Sequence, residues 1–92
     1  MITHRVQMQL KADSFNLLSR KIENTIMPFL LVQKGFCDGV TTIFPERSTA
    51  TEDTHWKTKA DAYAYDRTGY WEVMKTLTEV VNAPPITSIF ED

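Results

Sequence analysis

One cysteine, three glycines, four prolines and no long apolar run set the first limits on this chain of 92 residues. A lone Cys37 forms no intrachain disulfide, and it leaves no paired-cysteine spacing for a zinc site. Its neighbours Phe36 and Asp38 offer no positive charge to favour the thiolate, so a nucleophilic role is not expected. The net charge is only −2, and Arg20-Lys21 is the nearest thing to a basic cluster, which argues against a nucleic-acid partner. The longest apolar patch, residues 26–32, is far shorter than the roughly 20 residues needed to span a bilayer. Residues 2–11 alternate polar and apolar instead of forming a signal-peptide core. A reducing, cytoplasmic setting without a membrane partner is therefore expected. No repeat or low-complexity tract appears.

What is present suits one globular domain over residues 1–92: 42% apolar and 24% charged residues, enough for a core of modest size. Ile2, His4, Val6, Met8 and Leu10 alternate with Thr3, Arg5, Gln7, Gln9 and Lys11, the strongest strand pattern in the chain. Asp13 or Ser14 is placed to cap a helix, whose apolar stripe is Phe15, Leu18, Ile22 and Ile26. Pro28 predicts a kink and Gly35 a stop. Residues 36–44 and 49–56 read as a hairpin around Pro45-Glu46-Arg47-Ser48, with a bulge or local turn at Asp38-Gly39. Thr58, with Asp61 three residues on, makes a variant capping box for a second helix. That helix is expected to break or bend near Thr68-Gly69 and continue to Val81, with Tyr63, Tyr70, Val73, Met74, Leu77 and Val80 facing inward. Pro84-Pro85 ends it, and residues 86–91 form a last strand. The order is β-α-β-β-α-β, an α+β ferredoxin-like arrangement with a four-stranded antiparallel sheet carrying helices on one face.

Gly35-Phe36, the strand end Trp56-Lys57-Thr58, the helix start Ala60-Asp61-Ala62-Tyr63 and the turn Pro84-Pro85-Ile86 together resemble the antibiotic biosynthesis monooxygenase-like family of the dimeric α+β barrel superfamily. The resemblance implies a subunit that pairs through its sheet with a second copy, and a pocket between sheet and helices. It also implies oxidation of aromatic or quinol-like small molecules without a metal or flavin cofactor. Trp56 matches the strand tryptophan of the catalytic members, whereas the asparagine that accompanies it has no clear counterpart here. Residues 59–81 contain no histidine of the kind that ligates iron in haem-degrading relatives.

His4 and Trp56 are the candidate catalytic residues; Tyr63, Arg67 and Tyr70 are the candidate substrate-binding residues; no metal site is proposed. His4 stands alone among apolar residues on its strand face, either as a proton-transfer group or as a satisfied core histidine. Trp56 is read as core packing or as a stacking surface, and His55, its neighbour, as pointing to the opposite face. Arg67 falls on the Tyr63/Tyr70 stripe, free either to bind an oxyanion or to pair with an acid such as Asp38. Met8, Met27 and Met74 read as core filler, and Glu46, Glu52 and Asp53 as solvated hairpin charges.

Two functions remain open: a cofactor-independent monooxygenase-like enzyme, and a non-catalytic dimeric ligand-binding or assembly domain. A cavity of a few hundred cubic ångströms reaching His4 favours the first on the usual size of ligand sites, and a solid core there favours the second. In both, alternation forces one of Ile43/Phe44 and one of Ile89/Phe90 onto the open sheet face, where a second copy is expected to cover it.

Overall fold

The structure, a computed structural model, describes residues 1–91; Asp92, the last residue of the expected domain, lies outside them. Four strands run β1 (Ile2–Gln9), β2 (Phe36–Phe44), β3 (Thr49–Trp56) and β4 (Ile86–Glu91). They form one antiparallel sheet in the order β2-β3-β1-β4. Crossovers made of helix pairs α1 (Phe15–Lys21) with α2 (Met27–Leu30), and α3 (Lys59–Arg67) with α4 (Gly69–Leu77), complete the ferredoxin-like α+β fold.

The central position of β1 explains its strict alternation. His4, Val6 and Met8 are buried beneath the helices, while Arg5, Gln7 and Gln9 point to the open side. Pairing fixes the rest, because partners across a ladder share a face. Val6 opposite Glu52 and Ile2 opposite Trp56 place Ala50, Glu52, Thr54 and Trp56 under the helices. In β2 the register shifts between Phe36 and Asp38, so the bulge falls at Cys37, just before the expected Asp38-Gly39. Ile43 and Ile89 pack against the core, which leaves Phe44 and Phe90 on the open face.

The first crossover does not simply kink at Pro28. A π-helical segment, Ile22–Ile26, joins α1 to α2, and the Met27 N–H donates to Ile22. Proline has no N–H to offer the turn before it, and the wider turn keeps Ile26 and Leu30 both inward. Ser14 occupies the N-cap of α1 without a side-chain cap, and Asp13 takes a left-handed φ of 60°. Gly35 ends this crossover at φ 81°, where a Cβ would lie 2.2 Å from Asp61 Oδ2.

Thr58 caps α3 as expected, its Oγ1 accepting from the Asp61 N–H at 3.1 Å. The helix then breaks at Thr68, φ −127° and ψ −71°, and restarts at Gly69. That break overturns the single inner stripe drawn through Tyr63 and Tyr70. In α3 the buried residues are Ala62 and Tyr65; in α4 they are Gly69, Tyr70, Val73 and Leu77. Tyr63 is 46% exposed and Arg67 also lies outside. Seven residues keep phase only along an unbroken helix, and Thr68 interrupts it. The second helix also stops at Leu77, short of the expected Val81.

Candidate functional site

His4 is wholly buried at the centre of the sheet, opposite Thr54 in β3 and Ile89 in β4. Its Nε2 lies 2.8 Å from Asp66 Oδ1 at the end of α3. A carboxylate only accepts, so Nε2 carries a proton, and in the neutral ring Nδ1 keeps its lone pair. Buried Nδ1 finds no hydrogen-bond partner among the described residues. Tyr65 meets the imidazole edge-on at 5.2 Å between centroids, and Tyr70 lies 5.3 Å away, tilted. Asp66 keeps a third of its side chain in solvent, so the His4–Asp66 pair joins the core to the surface.

Trp56 closes the cluster. It is fully buried, stacks on Tyr65 at 4.6 Å, and meets Phe36 edge-on at 5.6 Å. Its indole N–H donates to Thr54 Oγ1 at 2.9 Å, and that hydroxyl donates in turn to the His4 carbonyl at 3.3 Å. The two expected catalytic residues are therefore tied through Thr54. Tyr70, among the expected binding residues, joins them at the His4 ring, whereas Tyr63 does not. Arg67 lies elsewhere, with Gln33, Lys34 and Asp61 on a surface groove of about 440 Å³ that Trp56 and Tyr65 also line. The expected acidic partner Asp38 instead pairs with His55 on the open sheet face.

Glu52 is the correction of most consequence. Expected as a solvated hairpin charge, it is 5% exposed on the inner face of β3. Thr41 donates a hydroxyl hydrogen bond to its Oε2, while its buried Oε1 has no partner among the described residues. Burial pushes the Glu52 carboxyl above the ordinary value of 4.5, with the Thr41 hydrogen bond working against that rise and the Asp53 charge adding to it. Burial likewise raises both tyrosines, Tyr70 to about 12, with the negative Asp66 adding to the effect. Both phenols are thus neutral at pH 7, and the buried Tyr70 hydroxyl has no partner among the described residues.

A carboxyl that holds its proton longer when folded favours the native state below its unfolded pKa, and loses that advantage as pH rises through the folded value. Glu52→Gln should therefore leave stability nearly unchanged below pH 4 and raise it progressively above, flattening the pH profile seen by urea unfolding. Equal pH profiles for the two proteins would show that Glu52 is not held in the core.

A cavity of about 10 Å³ touches His4, Glu52, Thr54 and Tyr65 under Ile22, Ile26 and Leu30. That is room for about one water, far from the few hundred cubic ångströms expected of an open ligand pocket. Tyr65 lines both this cavity and the outer groove. Among the described residues no cluster of metal-ligating side chains forms, and no helix is long and apolar enough to cross a membrane.

No family profile and no curated protein matches the sequence. Solved structures do. A Bordetella bronchiseptica protein named as an antibiotic biosynthesis monooxygenase superposes with a TM-score of 0.83 at 13% identity, over 99% of this chain and 95% of that one. This chain has the fold of the antibiotic biosynthesis monooxygenases. A Streptomyces coelicolor monooxygenase, solved with nanaomycin D, gives a TM-score of 0.78 at 10% identity, over 99% of this chain and 86% of that one. A protein from Bacillus halodurans named for an ethyl tert-butyl ether (ethd) family gives 0.69 at 13% identity, over 100% of this chain and 99% of that one. The monooxygenase-like scaffold thus extends over all the elements that position His4 and Trp56.

Proposed function

We propose that the protein is a dimeric, monooxygenase-like enzyme acting on an aromatic or quinol-like small molecule between its sheet and helices. The observation that carries this reading is the buried His4, held on one nitrogen by Asp66 and without a partner on the other among the described residues, beside a cavity lined by Tyr65 and aliphatic side chains. In that role Nδ1 takes the proton from a substrate hydroxyl, Asp66 stabilises the resulting imidazolium, and the phenolate passes electrons to dioxygen. An enclosure closed to bulk water limits competing hydrolysis. The monooxygenase names of the structural neighbours, one of them solved with nanaomycin D, support this choice of substrate class. Entry requires Tyr65 to swing aside, joining the inner cavity to the groove where Arg67 and Lys34 can meet an anionic group on the ligand. Aerobic oxidation of a panel of naphthohydroquinones, followed by oxygen uptake, tests the reading; rates equal to the protein-free background across the panel would reject it.

The size of the inner cavity favours a second reading, a non-catalytic dimeric assembly or ligand-binding domain of the same fold. Both readings need the second copy. The open face carries Val40 and Ile86, more than half exposed, beside Phe44 and Phe90. Its central charges are already matched: Arg5 makes a bidentate pair with Asp53 at 2.8 Å and lies over the Phe90 ring at 4.9 Å. The paired Arg5 holds the Asp53 carboxyl below its usual value. A face of apolar rings and neutralised charge suits burial of about 1,600 Å² against a copy of itself. Sedimentation at micromolar concentration should give twice the 10.6 kDa chain mass, and a folded monomer there would remove the interface.

A further inference from the structure

We propose that His4 and Glu52 form a proton-coupled pair across the buried cavity, with Glu52 the second acid–base group of the site. Two independent observations meet here. His4 Nδ1 and Glu52 Oε1 are both buried without a partner among the described residues, and both side chains line one cavity of about 10 Å³. Register makes them neighbours: Val6 is paired with Glu52 and His4 with Thr54, so His4 and Glu52 sit diagonally on the inner face of adjacent strands. Diagonal pairs of this kind lie about 7–8 Å apart at the backbone, within reach of long side chains or of one bridging water.

The outer atoms of both groups are fixed. Asp66 holds His4 Nε2, and Thr41 holds Glu52 Oε2. Each group therefore turns its remaining atom to the same space. When Glu52 holds a proton, it leaves Oε1 for a bridging water, and the water gives one of its own to Nδ1. The products are a carboxylate and an imidazolium, with no net change in protons, and the reverse transfer restores both neutral groups. Such an exchange stays internal, because the faces of the cavity not made by the pair are apolar, chiefly Val6, Met8, Ile22, Ile26, Leu30, Val73 and Leu77. The other titratable groups near the pair are Tyr65 and Tyr70, both neutral, Asp66 beyond His4, and Asp53 on the opposite sheet face.

As catalytic machinery this pair rests on the pocket reading above; the coupling itself does not, and titration tests it without a substrate. In the full-length protein, imidazole NMR reads His4 and the carbon-13 side-chain carboxyl signal reads Glu52. Glu52→Gln should lower the His4 midpoint, because the carboxylate that the transfer leaves beside the imidazolium is lost, and His4→Gln should raise the Glu52 midpoint. Linkage makes the two shifts equal, and coupling of this kind amounts to about 1 pH unit or more. Asp53→Asn, a charge removed from the other face, should move His4 by much less than Glu52→Gln does. If His4→Gln fails to fold, the His4 titration in Glu52→Gln decides alone. A His4 midpoint unmoved by Glu52→Gln, or moved as far by Asp53→Asn, overturns the pair. Coupled titration without turnover of any aromatic substrate would uphold the pair and remove the enzyme, whereas turnover that needs His4 but survives Glu52→Gln would remove only the catalytic share of Glu52.

Discussion

Trp56→Ala should destabilise the protein by about 3–5 kcal/mol, the usual loss on truncating a buried large aromatic. Trp56 is 0% exposed and stacks on Tyr65. Its removal strips one face from Tyr65 and one from Phe36, whose ring it meets at 5.6 Å. It also takes away the donor that fixes the Thr54 hydroxyl. Few of these partners can collapse into the gap, because β3 is held in register by β1 on one side and β2 on the other. A domain of this size has only about 5–15 kcal/mol of net stability in total, so the variant should lie near the edge of folding at 25 °C. The control is Trp71→Ala, since Trp71 is 61% exposed and its loss should fall within about 0.5 kcal/mol. Urea midpoints read both variants. Similar midpoints for the two would mean that Trp56 is not the centre of the core.

The fold was legible because its elements carry local signatures. Alternation in residues 2–10, the hairpin around Pro45, the Thr58 cap and the Thr68-Gly69 break all reappear in the structure. Parts of the site were not legible, for two physical reasons. His4 meets Asp66 across 62 residues, and no local pattern encodes such a contact. Glu52 was hidden because Glu52 and Thr54 separate Ala50 from Trp56 on the inner face of β3, leaving no continuous apolar stripe to show which way it points. A usable signal existed all the same: once Trp56 is taken as inward, strand parity carries Thr54, Glu52 and Ala50 inward with it. Tyr63 was placed inward and Tyr65 left out because one inner stripe was drawn through the whole helix, although a break at Thr68 was itself expected. Each half of the helix needed its own phase, anchored by Ala62 in one and Val73 in the other.

His4→Gln should lower turnover of an aromatic hydroquinone by about 100- to 10,000-fold, the range that a positioned acid–base group supplies. Glutamine approximates the length of the imidazole and can still donate an amide N–H to Asp66, so the 2.8 Å link to α3 has a replacement. What it lacks is a basic nitrogen facing the cavity. The loss should therefore appear in kcat, with KM little changed, since Tyr65, Tyr70 and Trp56 keep the enclosure. Asp66→Asn probes the other side of the same ring. An amide in place of the carboxylate no longer stabilises the imidazolium, and when it presents its NH2 to Nε2 it favours the tautomer with the proton on Nδ1, which blocks the basic position. Its effect should have the same sign in kcat and should not add to that of His4→Gln, because both act on one proton transfer. Unfolding midpoints near that of the parent protein would confirm that neither loss comes from a damaged fold. Full turnover in His4→Gln would take His4 out of the chemistry, and additive losses in the double variant would separate Asp66 from it.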